Sequence, residues 1–433
     1  MPRGRLALRS VFIVSVTIPF LGCESIVGVC AAEPIVVLTG NTMGTTYTIK
    51  INPPSVTPTH NPLETAIAQR LDDINQLMST YIESSEISQF NQSPADQWFP
   101  ISADTATVVS VAQEIAKETE GAFDISVGPL VGLWNFGSGS DSSVAFAPPT
   151  RQHIDSVLEQ IGHAKLQCRL DPPALRKTVG QLQIDLSGIA KGFAVDEICQ
   201  LLLAHNLHDF MVEIGGEVRL SGTRADGQPW NIGIEAPDKA SRQLNLVIAP
   251  RATAIATSGD YRDFHEYEGI YYSHTIDPRT GRPILHNLAG VTVLAEDCMR
   301  ADALATALLV MGPEDGNNWA EKHDVAALFV TRTSKGLASS ATRRFEVLQS
   351  TTGKTQEDGS FPKVLFLSFL IISIALLGMS IGVIISKRRI QGSCGGLAGF
   401  TDDQGRTVCD ACQHPSPECE GMQATTSTSK ATD

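Results

Sequence analysis

Apolar positions follow two rhythms along the first three quarters of the chain. Ile35 to Ile51 is apolar and β-branched, interrupted by Gly40 and Gly44. That pattern predicts strand, glycine break, strand. Leu63 to Met78, Ala103 to Glu120 and Ala190 to Asn206 carry apolar residues at helical spacing, which predicts three substantial helices. After Asp209 the pattern turns to short apolar runs broken by Gly and Pro, among them Phe210–Ile214, Gly216–Ser221, Trp230–Glu235 and Leu244–Ile248. Ala301 to Met311 returns to helical spacing and Ala326–Thr331 to a strand. The Gly- and Ser-rich residues 137–148 are expected to form an exposed loop. Strands and long helices without strict alternation indicate an α+β fold rather than a doubly wound sheet.

Two further apolar runs do not belong to that body. Arg3, Arg5 and Arg9 precede Val11–Leu21, which is the length of a signal-peptide core and too short to span a bilayer. Residues 1–32 are therefore expected to direct export. Phe20-Leu-Gly-Cys23 has the shape of a lipidation site, with Phe where Leu is usual, and ordinary cleavage after Ala32 is the competing route. The second run, Val364 to Ile385, holds 22 residues without a charge. At about 1.5 Å per residue it covers about 33 Å, the thickness of a bilayer core. Lys387-Arg-Arg389 follows, and positive flanks face the cytoplasm. The two signals agree on one topology: a periplasmic body at residues 33–348, a linker at 349–363, an inner-membrane span at 364–385 and a cytoplasmic tail at 386–433.

Composition narrows the partners. The 433 residues carry a formal net charge of -14, which disfavours nucleic acid and requires a metal ion or local donors wherever phosphate binds. Of nine cysteines, the expected exported body keeps Cys168, Cys199 and Cys298. Three are too few for a disulfide framework. Cys199 and Cys298 read as small core hydrophobes, and a bridge at Cys168 has nothing arguing for it.

Six polar, glycine-rich segments lie between the regular elements, where functional residues concentrate. Met43-Gly-Thr-Thr-Tyr47 places glycine where a ligand can approach backbone, and a β-bulge would explain it equally. Met78-Ser-Thr-Tyr81 offers an aromatic face with a hydroxyl. Gly121-Ala-Phe-Asp124 puts a carboxylate in an apolar stretch, so Asp124 needs a partner, of which a structural cap is one. Asp185-Leu-Ser-Gly-Ile-Ala-Lys191 turns from a strand into a helix whose N-terminal N–H groups, with Lys191, suit phosphate. It matches neither the dinucleotide fingerprint nor the P-loop. Ser273-His-Thr-Ile-Asp-Pro-Arg-Thr-Gly281 brings His274 near Asp277 and Arg279, acid–base capacity beside a turn sequence. Asp302 and Thr306, four apart, share one helical face and offer hard oxygen donors.

Taken in order, these segments closely resemble the ApbE family of FAD:protein FMN transferases, over about residues 36–345. The resemblance implies T-fold-like antiparallel sheets, cleavage of the FAD pyrophosphate, transfer of FMN to a Thr or Ser hydroxyl and release of AMP. It implies flavin-nucleotide contacts at Met43, Tyr81, Ala122, Phe123, Asp124, Asp185, Lys191 and His274. It also implies Mg²⁺ ligands at Asp302, Thr306 and the Gly188 carbonyl. His274 and Asp302 carry the chemistry on this reading. An FAD pyrophosphatase and a flavin-binding lipoprotein are the competing activities.

The tail carries Cys394, Cys409, Cys412 and Cys419. A CxxC pair in a reducing compartment reads as an iron or zinc site ahead of a redox pair. Lys387-Arg-Arg followed by Gly392-Ser-Cys-Gly-Gly-Leu397 resembles the NqrM assembly factors of the sodium-pumping NADH:quinone reductase. That resemblance implies iron handling for a complex whose subunits accept covalent FMN.

Overall fold

The computed structural model describes residues 35–352, except 53–59, 141–142, 144, 236–243, 249–253 and 261–263. The expected signal segment, membrane span and cysteine tail lie outside the described residues. Among the described residues no helix is long and apolar enough to cross a membrane.

An eight-stranded sheet forms the backbone of the fold. Its spatial order is Val36–Thr42, Thr45–Ile51, Phe210–Ile214, Glu217–Ser221, Ala254–Gly259, Leu288–Ala295, Ala326–Thr333 and Gly336–Ala341. Every neighbouring pair is antiparallel. The first break is a two-residue hairpin turn rather than a bulge. Thr42 pairs with Thr45, and Met43 and Gly44 both take positive φ, 50° and 71°, the conformation that matches the twist of the flanking strands. Gly40 sits opposite Tyr47, whose ring fills the space a Cβ would need, 2.6 Å away.

Helices His60–Met78, Ala103–Glu118, Ala190–Ala204 and Cys298–Met311 match the helical runs seen in the sequence, with ends shifted by a few residues. Cys298–Met311 begins three residues earlier than the pattern suggests because Asp297 caps it, its side chain accepting from the Arg300 amide at 2.8 Å. One face of the sheet packs on these helices through residues such as Ile49, Val212, Val291, Ile198 and Leu308. A smaller cluster on Met211, Trp230, Leu328 and Phe345 also gathers around sheet residues. Cys199 and Cys298 are buried and free, as core hydrophobes, and Cys168 is free and half-buried.

Most described residues of the segment 137–148 are exposed, as expected of a Gly- and Ser-rich loop, but Phe146 is half-buried. Phe146 turns inward and stacks on His265 with ring centroids 4.2 Å apart. His265 also stacks on Phe136 at 4.4 Å. A single aromatic residue in a polar stretch is enough to pin the loop down.

Candidate functional site

Two helix beginnings and two strand turns converge on one group of side chains. The helix Ala190–Ala204 opens without a side-chain cap, its preceding residue being Ile189. Gly192 of its first turn donates its backbone N–H to Asp302 Oδ2 at 3.0 Å. Lys191 lies beside it, with Nζ 3.5 Å from Asp302 Oδ1 and 3.1 Å from Glu217 Oε1. Glu217 heads its strand just after the Gly215-Gly216 turn. Gly215 has φ 61°, and a Cβ there would lie 2.8 Å from Thr45 and 3.3 Å from the Lys191 stem. The turn thus closes on the lysine from one side, and the hairpin that carries Met43 stands against it.

The charges in this group are unequal. Asp302 and Glu217 are both 2% exposed. Burial works against the Lys191 charge, but the Asp302 and Glu217 carboxylates outweigh it and hold its pKa above the ordinary lysine value. Burial pushes Glu217 up to about 8, with the Lys191 ammonium opposing and the Asp302 carboxylate adding to the rise. The two directions are consistent: one ammonium is shared by two carboxylates, and the less well partnered of them takes up a proton first. Glu217 is that one, because its Oε2 is buried without a hydrogen-bond partner.

Four residues along the same helix face, Thr306 Oγ1 lies 3.0 Å from Ser258 Oγ. It also lies 3.4 Å from the position a Cβ would take on Gly188. The same position on Gly188 is 3.2 Å from the Phe123 ring. Gly188, Thr306, Phe123, Asp302 and Lys191 therefore gather around the start of one helix, as the sequence reading expects. Asp185 anchors the turn before it, its Oδ1 accepting from the Ser187 amide at 2.8 Å. Ala122 and Phe123 are buried. They follow a turn in which Glu120 and Gly121 both have positive φ.

Asp124 is occupied structurally. Oδ1 accepts from the Ser126 amide at 2.8 Å and Oδ2 from the His163 amide at 2.7 Å. Its burial is thereby explained by the cap the sequence left open. Tyr81 is 73% exposed. Its region is tied to the Met43 hairpin by Asn75 Nδ2, which donates to Thr42 Oγ1 at 3.1 Å. His274 is half-buried and meets the edge of Phe136, ring centroids 6.4 Å apart. Asp277, three residues on, is committed to its turn: it receives the Arg279 amide and both arms of the Arg279 guanidinium at 2.9, 2.9 and 3.0 Å.

Glu217 escaped the sequence reading, and Ser258 falls in the Ala254–Tyr261 run that leads into the His274 segment without being given a role of its own. Glu217 stands in an ordinary short strand, and only the double glycine before it hints at a special position. A cavity of about 460 Å³ lies elsewhere, lined by Val37, Tyr47, Glu64 and Ile67 among others. It holds none of the expected site residues; a second cavity, of about 390 Å³, lies on the hairpin Asn41–Thr46 and takes in Met43. Among the described residues no group of three or more His, Cys, Asp or Glu could hold a metal. The donors at Asp302, Thr306 and Gly188 are of another kind: one carboxylate, one hydroxyl and one carbonyl. That set suits Mg²⁺, which keeps several waters or binds phosphate oxygens.

Comparison with known proteins fits this geometry. Residues 43–329 match the model of the ApbE family. Residues 383–432 match the model described as (Na+)-NQR maturation NqrM. The FAD:protein FMN transferase of Vibrio cholerae is 43% identical over 310 residues, 71% of this chain and 91% of that protein. That of Haemophilus influenzae is 40% identical over 328 residues, 74% and 94% of the two chains. The solved structure of the flavin transferase ApbE from Vibrio cholerae superposes with a TM-score of 0.67 at 42% identity, covering 73% of this chain and all of its own. The apo form of the Pseudomonas stutzeri flavinyl transferase ApbE gives a TM-score of 0.67 at 35% identity, covering 73% and 97%.

Proposed function

This chain belongs to the ApbE family, and from that premise we propose that it is an Mg²⁺-dependent FAD:protein FMN transferase acting on a Thr or Ser of another protein. The observation that carries the reading is the grouping of Lys191, Asp302, Thr306 and Gly188 at one uncapped helix start. It joins an ammonium suited to phosphate to a set of hard oxygen donors.

In this reading Asp302, Thr306 and the Gly188 carbonyl hold the metal. Magnesium supplies neutralisation of the pyrophosphate charge when bound. Lys191 orients the phosphates. Met43, Tyr81, Ala122, Phe123 and Asp185 line the nucleotide's path, and Asp124 holds the backbone beside it. His274 accepts the proton of the acceptor hydroxyl. The hydroxyl oxygen forms the new bond to the FMN phosphorus, the bond to the AMP oxygen breaks, and AMP leaves.

The cellular setting completes the proposal. Residues 33–348 form the periplasmic transferase, 364–385 anchor it in the inner membrane, and Cys394, Cys409, Cys412 and Cys419 hold iron on the cytoplasmic side. The match of residues 383–432 to a maturation factor supports subunits of the sodium-translocating NADH:quinone reductase as acceptors.

The test is incubation of the full-length chain with FAD, Mg²⁺ and acceptor domains of that reductase, read by in-gel flavin fluorescence and intact mass. A mass gain of one FMN ester that disappears without Mg²⁺ is expected. Free FMN and AMP with every acceptor unlabelled would replace the transferase by a pyrophosphatase. Intact bound FAD would replace it by a flavin carrier.

A further inference from the structure

Glu217 has no place in the reading above, yet it is a nearly fully buried acid with one oxygen on Lys191 and the other on nothing. Burying a carboxylate costs stability unless its lone pairs are satisfied. A strand residue held in that state calls for a reason beyond packing. Its only ion-pair partner among the described residues, Lys191, is also the ammonium that lies 3.5 Å from Asp302. Asp302 meanwhile receives the Gly192 amide on its other oxygen.

An ammonium that sits on Asp302 competes with any divalent cation for the same carboxylate. The 3.1 Å contact to Glu217 is shorter than the 3.5 Å contact to Asp302, so the lysine is already drawn toward the strand. Gly215 leaves room for its stem there, since a Cβ on that residue would lie 3.3 Å from Lys191 Cδ. We propose that Glu217 is a positioning residue that draws the Lys191 ammonium away from Asp302 and so keeps that carboxylate open to a divalent cation. The inference rests on Asp302 being a metal ligand.

With Glu217 ionised, the charges of Lys191, Glu217 and Asp302 sum to one negative charge. Glu217→Gln brings the sum to zero and leaves Lys191 with Asp302 alone. Lys191→Met brings it to two negative charges and removes the competitor. The double variant returns to one. A unit charge within this group alters cation affinity by about tenfold or more.

The measurement is Mn²⁺ binding to the full-length chain without nucleotide, at pH 9 under argon, followed by the EPR signal of the free ion. Glu217→Gln should weaken binding about tenfold or more, Lys191→Met should tighten it, and the double variant should lie near the wild type. Glu217→Asp, which keeps the charge on a shorter stem, should recover part of the loss. A Glu217→Gln affinity within about twofold of the wild type would overturn the proposal, since RT ln 2 is below the Coulomb effect of one nearby charge. So would weakening in both single variants, the mark of a merely structural role. Asp302→Ala separates the premise from the inference. Wild-type Mn²⁺ affinity in that variant removes the metal reading itself, whereas lost affinity there with no effect of Glu217→Gln removes only the role of Glu217.

Discussion

Gly192 stands so close to Cys298 that a Cβ in place of its hydrogen would lie 2.3 Å from the Cys298 carbonyl oxygen. The helices that carry Lys191 and Asp302 touch there through bare backbone. The same glycine's amide reaches Asp302 Oδ2 at 3.0 Å. Gly192→Ala must push the helices apart, at a cost of about 1–3 kcal/mol from overpacking. It should also lengthen the amide–carboxylate contact. Chemical denaturation should show the loss of stability and the transfer assay a loss of activity. An alanine variant as stable as the wild type would mean that the contact is looser than described.

Asp302→Ala should abolish Mg²⁺-dependent transfer, since it removes the one carboxylate among the proposed donors and leaves Lys191 without that partner. The same variant should retain its secondary structure by circular dichroism, because Lys191 keeps Glu217 as its ion-pair partner. Transfer at the wild-type rate would remove Asp302 from the chemistry.

His274→Ala should lower the rate of transfer by about 10²-fold or more, the scale of general-base catalysis, while FAD binding changes little. A raised KM for FAD with kcat intact would move His274 from the chemistry to nucleotide binding.

Asp124→Ala should behave unlike either. Two buried backbone amides lose their acceptor, which costs about 1–3 kcal/mol for each donor left unsatisfied. The expected result is a lowered Tm. Unchanged stability with a raised KM for FAD would instead make Asp124 a nucleotide contact first.

The Glu217 carboxyl should leave a signature in the pH dependence of stability. Its folded pKa, about 8, lies above its ordinary value of 4.5. Between those values the folded chain binds a proton that the unfolded chain has released, so this contribution to stability falls as pH rises toward 8 and is gone above it. Glu217→Gln cannot titrate there. The Tm of the variant should therefore gain on that of the wild type from pH 5 to pH 8.5. Parallel curves would show that Glu217 is ionised in the fold throughout.

How much of this was legible beforehand follows from which signals are local. The helix 298–311 and its Asp302–Thr306 face are set by spacing along one element, and the structure brings Thr306 to Gly188 and Asp302 to Lys191. Of the strand, turn and helix expected around Gly188, the turn and the helix form, while the strand is reduced to an isolated bridge between Gln183 and Val127. Glu217 was not legible, because its importance lies in where two distant turns meet. Nothing in Glu217-Val-Arg-Leu-Ser221 marks a buried acid. Phe146 likewise lies in a polar stretch whose composition predicts exposure, and the distant rings of His265, Tyr267 and Tyr272 make it a packing residue. Asp124 shows the converse: its need for a partner was evident, but the partners are amides, one of them 39 residues away.

The two helix starts at this site are finished differently. Asp196 lies on the 190–204 helix, one turn in from the site, and its carboxylate accepts from the Cys298 and Met299 amides at 2.9 Å each. With Asp297, it closes the beginning of the neighbouring helix. The 190–204 helix has no cap of its own, and Asp302 of the neighbouring helix takes its Gly192 amide instead. Each helix thus lends the other an acid to close its beginning. The two starts form a reciprocal clasp, so neither helix can slide along the other without stripping a backbone amide of its acceptor.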